Sequence, residues 1–203
     1  MPQLQTQPPE RAQRADARRN RERVLDAARI CMAHKGTDAQ VEEIARAADV
    51  GVGTVYRHFP TKDDLIEALA MERFERLAEI ARAALADEDD AWAAFEEVMR
   101  ASARIQSEDR ALSEVLTSRP ETMGRAADSV DMLGLVAELM QRCKRAGAIR
   151  EDADPRDVPM LLCALAGTYR NPYTNPDRYI RIVLDGLRPA GCERSGLPPF
   201  ADG

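Results

Sequence analysis

The stretch Val41 to Leu65, VEEIARAADVGVGTVYRHFPTKDDL, constrains the fold more than any other part of the chain. It reads as two short helices joined by a sharp turn and followed at once by a third. Val41, Ile44, Ala45 and Ala48 recur at the spacing of a helix with one buried face. Asp38 is expected to cap that helix, its carboxylate accepting from backbone N–H groups of the first turn. Asp49-Val50-Gly51 stops it, because Asp tolerates the left-handed conformation and Gly adopts it freely. The next helix, Val52 to Phe59, turns Val55 and Phe59 inward and leaves Val52, Gly53, Thr54, Arg57 and His58 to point elsewhere. Pro60 ends it. Thr61 opens a longer helix, with Asp64 three residues on as a variant capping box. This is the layout of a helix-turn-helix, which places its second helix in the DNA major groove.

Ile44, Ala45, Ala48, Val50, Gly53, Thr54, Val55, Tyr56, His58, Phe59, Thr61, Lys62, Asp63 and Leu65 carry a specific resemblance. They match the pattern I-A-x-x-A-G-V-S-x-G-T-[LVI]-Y-x-[HY]-F-x-[ST]-K-[DE]-x-L, so the segment resembles the DNA-binding domain of the tetracycline-repressor (TetR) family. Three positions depart from it. Asp49 stands where the family prefers Gly, Gly51 where it prefers Ser, and Gln40 where it often has a Thr or Ser that contacts phosphate. Gly51 remains an acceptable N-cap.

Candidate DNA contacts follow residue by residue. Gly53 lets the recognition helix approach DNA closely, and Val52 lies beside it on the outward face. The resemblance implies that the hydroxyls of Thr54 and Tyr56 reach phosphates or base edges. Arg57 has the fork geometry that pairs with guanine, and His58 can donate to a phosphate or stack on a sugar. Lys62 lies in the first turn of a helix, where the N–H groups and the dipole already favour phosphate. Each has a plainer alternative: Tyr56 and His58 as packing residues, Arg57 as a solvated charge. Phosphate contacts would position the helix, and only base contacts would specify sequence.

Charge agrees with this reading. The chain of 203 residues has a formal net charge of −6. Residues 1–62 nevertheless hold 11 Lys+Arg against 8 Asp+Glu, and residues 63–203 hold 18 against 27. The basic excess gathers at Arg11, Arg14, Arg18, Arg19, Arg21 and Arg23. Of these, Arg18, Arg19 and Arg21 stand nearest the expected helix start at Asn20 and could follow phosphates or enter a minor groove.

No alternating run of β-branched residues suggests a sheet, so an all-α fold is expected. No apolar run approaches the roughly 20 residues of a membrane span, and the N-terminus lacks a signal-peptide core, so a cytoplasmic protein is expected. Cys31, Cys143, Cys163 and Cys192 are scattered without metal-ligand spacing, and three of them fall on apolar helical faces. No metal, cofactor or catalytic group is expected. A helical enzyme is disfavoured because His34 and His58 lack the E-x-x-H arrangement of di-iron bundles and Gly51-x-Gly53 lacks a phosphate-loop context. A helical interaction module without a DNA role is the other alternative.

Nine helices are expected, three in the reader and six beyond it. The domain reading is a disordered basic arm over 1–19, the DNA-binding domain over 20–65, a second domain over 66–188 and a disordered tail over 189–203. A single helix is expected from Pro120 to Ala146. Asp154-Pro155 and Asn175-Pro176 each read as an N-cap followed by Pro at the first helical position. The resemblance implies that the last two helices form a homodimer through a four-helix interface. The stripes Val158/Leu161/Leu162/Leu165 and Ile180/Val183/Leu184/Leu187 fit that role, or else close the monomer core. It also implies a pocket for a small-molecule effector, with Trp92, Phe95, Met99, Met123, Met132, Leu135 and Tyr169 as candidate lining. The expected protein is a repressor that binds a palindromic double-stranded DNA operator and is released by that effector.

Overall fold

The computed structural model describes residues 10–86, 90–168 and 175–191, with side chains from residue 14 onward. Among these residues there are ten α-helices, one 3-10 turn and no strand. The chain divides into two compact units, Met1–Ala68 and Leu69–Gly203. The division falls three residues beyond the position expected from the sequence.

The first unit contains α1 (Glu10–Lys35), the 3-10 turn Gly36–Asp38, α2 (Val41–Ala47), α3 (Val52–His58) and the start of α4 (Lys62–Ala86). Helix α1 begins well before Asn20, so residues 10–19 are helical rather than a disordered arm. Ala, Arg, Glu and Gln dominate that stretch and favour helix, and Arg19–Asp16 and Arg18–Glu22 pair on its surface. The rest of the expected arm, residues 1–9, lies outside the described residues. Val24, Leu25, Ala28 and Met32 of α1 are buried with Ile44 and Ala45 of α2, Val55 of α3, and Phe59.

In the second unit α5 (Ala91–Glu108) packs against α6 (Arg110–Thr117), α8 (Met132–Arg145), α9 (Asp157–Thr168) and α10 (Pro176–Leu187). Asp90 caps α5 through its carboxylate, which accepts from the N–H groups of Trp92 (2.9 Å) and Ala93 (3.0 Å). Trp92 and Phe95 then meet at 5.7 Å between ring centroids in a tilted pair. Met99, Leu139, Met140, Cys143 and Ile149 complete the core around them.

The single helix expected over Pro120 to Ala146 is two helices, α7 (Pro120–Asp128) and α8. Asp131 breaks it by taking a left-handed φ of 52° and capping α8, with Oδ1 accepting from Gly134 N–H at 3.3 Å. Ten helices therefore replace the expected nine among the described residues. Asp154-Pro155 forms a turn, and α9 starts at Asp157, whose carboxylate accepts from Asp154 N–H at 2.9 Å. Asn175-Pro176 behaves as expected: Asn175 Oδ1 accepts from Asp177 N–H at 3.1 Å and Pro176 is the first residue of α10. The tail beyond Gly191 and the segment 169–174, with Tyr169, lie outside the described residues.

Candidate nucleic-acid interface

The reader is built from local chemistry. Gln40, not Asp38, is the N-cap of α2; Asp38 is taken up by the 3-10 turn, which moves the helix start two residues on. Glu43 closes the cap by accepting from Gln40 N–H at 3.3 Å, and Lys35 donates to its other oxygen at 2.5 Å. The Lys35 bond, then the Gln40 bond, holds the Glu43 carboxyl below its usual value.

Helix α2 ends in a Schellman motif. Asp49 N–H donates to Arg46 O at 3.1 Å and Val50 N–H to Ala45 O at 3.0 Å. The left-handed residue is Asp49, at φ 52°, while Gly51 is extended at φ −70° and serves as the N-cap of α3. Asp49 thus occupies a conformation that glycine adopts without cost and that Asp adopts better than most other residues.

Helix α3 turns Val55 inward, with Phe59 following as its buried C-cap. Gly53, Tyr56 and Arg57 are exposed, Tyr56 by 45%. Val52, Thr54 and His58 are half-buried. Tyr56 therefore presents part of its side chain to solvent rather than lying wholly in the core. A Cβ placed on Gly53 would meet nothing within 4 Å, so the chain's own packing does not require glycine there.

His58 is more enclosed than the sequence suggests. Its Nε2 is buried and finds no hydrogen-bond partner. Burial first, then the charges of Arg57 and Arg21, hold its pKa below the ordinary imidazole value. The ring is therefore neutral near pH 7.

The cations sort into two sets. Arg21 lies with its guanidinium 5.4 Å from the centroid of Phe59, a packing role beside any DNA role. Arg18 and Arg19 are exposed and paired within α1. Lys62, expected in the first turn of its helix, is the first residue of α4, behind a capping box in which Thr61 N–H donates to Asp64 at 2.8 Å and Asp64 N–H to Thr61 Oγ1 at 3.1 Å. Its Nζ donates to Thr37 O at 2.5 Å. An ammonium has three donors, so that bond leaves capacity for a phosphate. Gln40 Nε2 donates to Asp38 O at 2.8 Å. Arg23, which the sequence shows only as one of the basic excess, donates through Nη2 to both the carbonyl and a carboxylate oxygen of Asp49, each at 3.1 Å.

Residues 24–69 match the family model described as bacterial regulatory proteins, tetR family, and residues 87–189 match the C-terminal domain described as transcriptional regulator SbtR-like. The chain belongs to the tetR family. It is 30% identical over 171 residues to the HTH-type transcriptional repressor Rv1474c of Mycobacterium tuberculosis, covering 82% of this chain and 79% of that one. A TetR transcription regulatory protein from Mycobacterium vanbaalenii is 37% identical with a TM-score of 0.60, over 86% of this chain and 98% of its own. TetR regulator SCO0520 from Streptomyces coelicolor is 30% identical with a TM-score of 0.58, over 84% and 99%. This tetR-family chain is accordingly a helix-turn-helix transcriptional regulator and not an enzyme.

The second unit of this tetR-family regulator places its candidate residues as follows. Val158, Leu162, Leu165, Ile180, Leu184 and Leu187 lie in its own core, with Leu161 and Val183 packed against them. The stripes thus contribute to the core of the unit, while Leu161 and Val183 keep part of their surface exposed. The outer faces of the same helices expose Met160 by 63% and Ile182 by 44%. Of the candidate pocket residues, Trp92, Phe95 and Met99 are core, Met132 and Leu135 pack against it, and Met123 is half-buried on α7. An open groove of about 440 Å³ lies elsewhere, lined by Ile80, Ala93, Glu96, Glu97, Arg100, Ala101 and Arg104. No helix among the described residues is long and apolar enough to cross a membrane.

Proposed function

We propose that this chain is a cytoplasmic, ligand-responsive repressor that binds a palindromic operator as a homodimer and leaves it when a small-molecule effector occupies the second unit. The outward face of α3 carries the proposal. Gly53, Tyr56 and Arg57 stand exposed on a helix whose inner face is fixed by Val55 and Phe59, so little rearrangement is needed to meet a groove. Thr54, Val52, His58, Gln40 and Lys62 flank that face, and Arg18, Arg19 and Arg21 supply positive charge from α1.

Two-fold pairing suits a reader of this kind, since half-sites then fall about 34–36 Å apart on one DNA face. The exposed Met160 of α9 and Ile182 of α10 favour pairing through the outer surface of these helices. The buried stripes beneath would hold that surface rigid. An effector that reaches Trp92, Phe95 and Met99 has to open the core that holds them. Ligand entry would then be tied to rearrangement, and the effector shifts operator binding only as far as its affinities for the two states differ.

The test is selection of bound fragments from the source genome with purified full-length protein, followed by sequencing. A palindromic site is expected, with mobility of a dimer–DNA complex. Protein that is folded and dimeric yet enriches no sequence would overturn the operator reading. A Met160→Asp, Ile182→Glu variant should sediment as a monomer; if it remains a dimer, the pairing surface lies elsewhere.

A further inference from the structure

We propose that Arg23 is a positioning residue of the DNA reader: it clamps the left-handed turn residue Asp49 and neutralises its carboxylate at the DNA-facing turn. The inference rests on the reader binding DNA and concerns a departure of this chain from its family, an acidic residue where glycine is the usual choice.

Two observations carry it. The first is geometric. The Arg23 guanidinium, reaching from α1, binds Asp49 at its main-chain carbonyl and at Oδ2, each at 3.1 Å. Asp49 is the pivot of the Schellman motif, with φ 52° and its own N–H on Arg46 O. Whatever fixes this residue fixes where α2 ends and where Gly51 starts α3. A glycine would hold the same φ without strain but without a side chain to anchor.

The second observation is electrostatic. The Asp49 side chain is 96% exposed. It sits at the C-terminus of α2, where the helix dipole disfavours an anion, and two residues ahead of the N-cap of the recognition helix. A polyanion approaching α3 meets this carboxylate. The Arg23 partner, itself 46% exposed, offsets that charge. Arg23 and Asp49 form one device, in which the cation permits the anion.

The test is a double-mutant cycle of Arg23→Ala and Asp49→Gly, read as affinity of the full-length protein for a DNA fragment selected by the wild type, across a range of salt. Arg23→Ala alone is expected to weaken binding about three- to tenfold, the scale of one exposed ion pair lost in each of two subunits. In the Asp49→Gly background the same change should have little effect, because both the charge and the strain are gone. Arg23→Lys should recover most of the affinity, and the salt slope should stay at the wild-type value. An equal loss in both backgrounds, with a salt slope lower by about one per lost phosphate contact, would mean that Arg23 binds phosphate directly and would overturn the proposal. So would the absence of any loss in Arg23→Ala. Circular dichroism of each variant separates these outcomes from unfolding. Failure of the wild type to bind any selected DNA would instead count against the DNA-binding reading itself.

Discussion

Truncation of Phe59 to Ala should detach the fate of the reader from that of the second unit. Phe59 is 3% exposed, and the Arg21 guanidinium lies 5.4 Å above its ring. Removing such a side chain costs about 3–5 kcal/mol in a well-packed core, and the lost cation–π contact adds about 0.5–1 kcal/mol. At the usual 0.05–0.15 kcal/mol per residue, the 68-residue first unit has about 3–10 kcal/mol in total. The change therefore consumes about a third or more of its stability. If the variant reader is folded a tenth of the time, a dimer that needs both readers loses about a hundredfold in apparent affinity. Thermal unfolding followed by far-UV circular dichroism, with DNA affinity by fluorescence anisotropy, measures both effects. The expected result is an early transition for the reader, an unmoved later transition for the second unit and DNA binding lost. Phe59→Leu keeps apolar bulk, costs about 1–1.5 kcal/mol and should retain binding. An unshifted melt in Phe59→Ala, or equal damage from Phe59→Leu, would refute this account of the reader's core.

Three further outcomes are expected. With Lys62 on a phosphate in each subunit of the proposed dimer, Lys62→Met should lower the slope of log affinity against log salt by about 1.8, measured by salt titration of the operator complex. Because burial, then Arg57 and Arg21, depress the pKa of folded His58, the folded reader takes up a proton less readily than the unfolded chain. His58 thus favours the folded state fully above about pH 6.5, and that stability is lost as pH falls below it; the reader's melting midpoint should drop on acidification and flatten in His58→Gln. Cys143 donates its thiol to Ala91 O at 3.0 Å, and burial, then the charge of Asp90, pushes its pKa up to about 11. Since the thiolate is the nucleophile, iodoacetamide at about pH 8 should spare Cys143 in the folded protein and modify it in urea, as read by peptide mass spectrometry.

The reader was legible because its determinants are local. The Val55/Phe59 spacing, the Asp49 turn and the Thr61–Asp64 capping box each act within a few residues, and each stands where the sequence placed it. The Asp38 cap failed because a 3-10 turn, invisible to apolar periodicity, shifts the start of α2. Arg23–Asp49 spans 26 positions and has no local signature. In the second unit the periodicity of α9 and α10 identified the faces that are buried but not what covers them. That choice belongs to α5, which packs on both. The split between α7 and α8 was hidden because apolar spacing carries on across Ser129-Val130-Asp131 while the backbone reverses hand at one residue.

That reversal ties two positions together in descent. A Cβ on Gly134 would press against both carboxylate oxygens of Asp131, including Oδ1, the oxygen that receives the Gly134 N–H. A larger residue at 134 would make the Asp131 carboxylate turn aside and weaken its bond to the 134 N–H, while a change at 131 would free the space at 134. In lineages of this chain the two sites should therefore vary together more often than unlinked surface positions do.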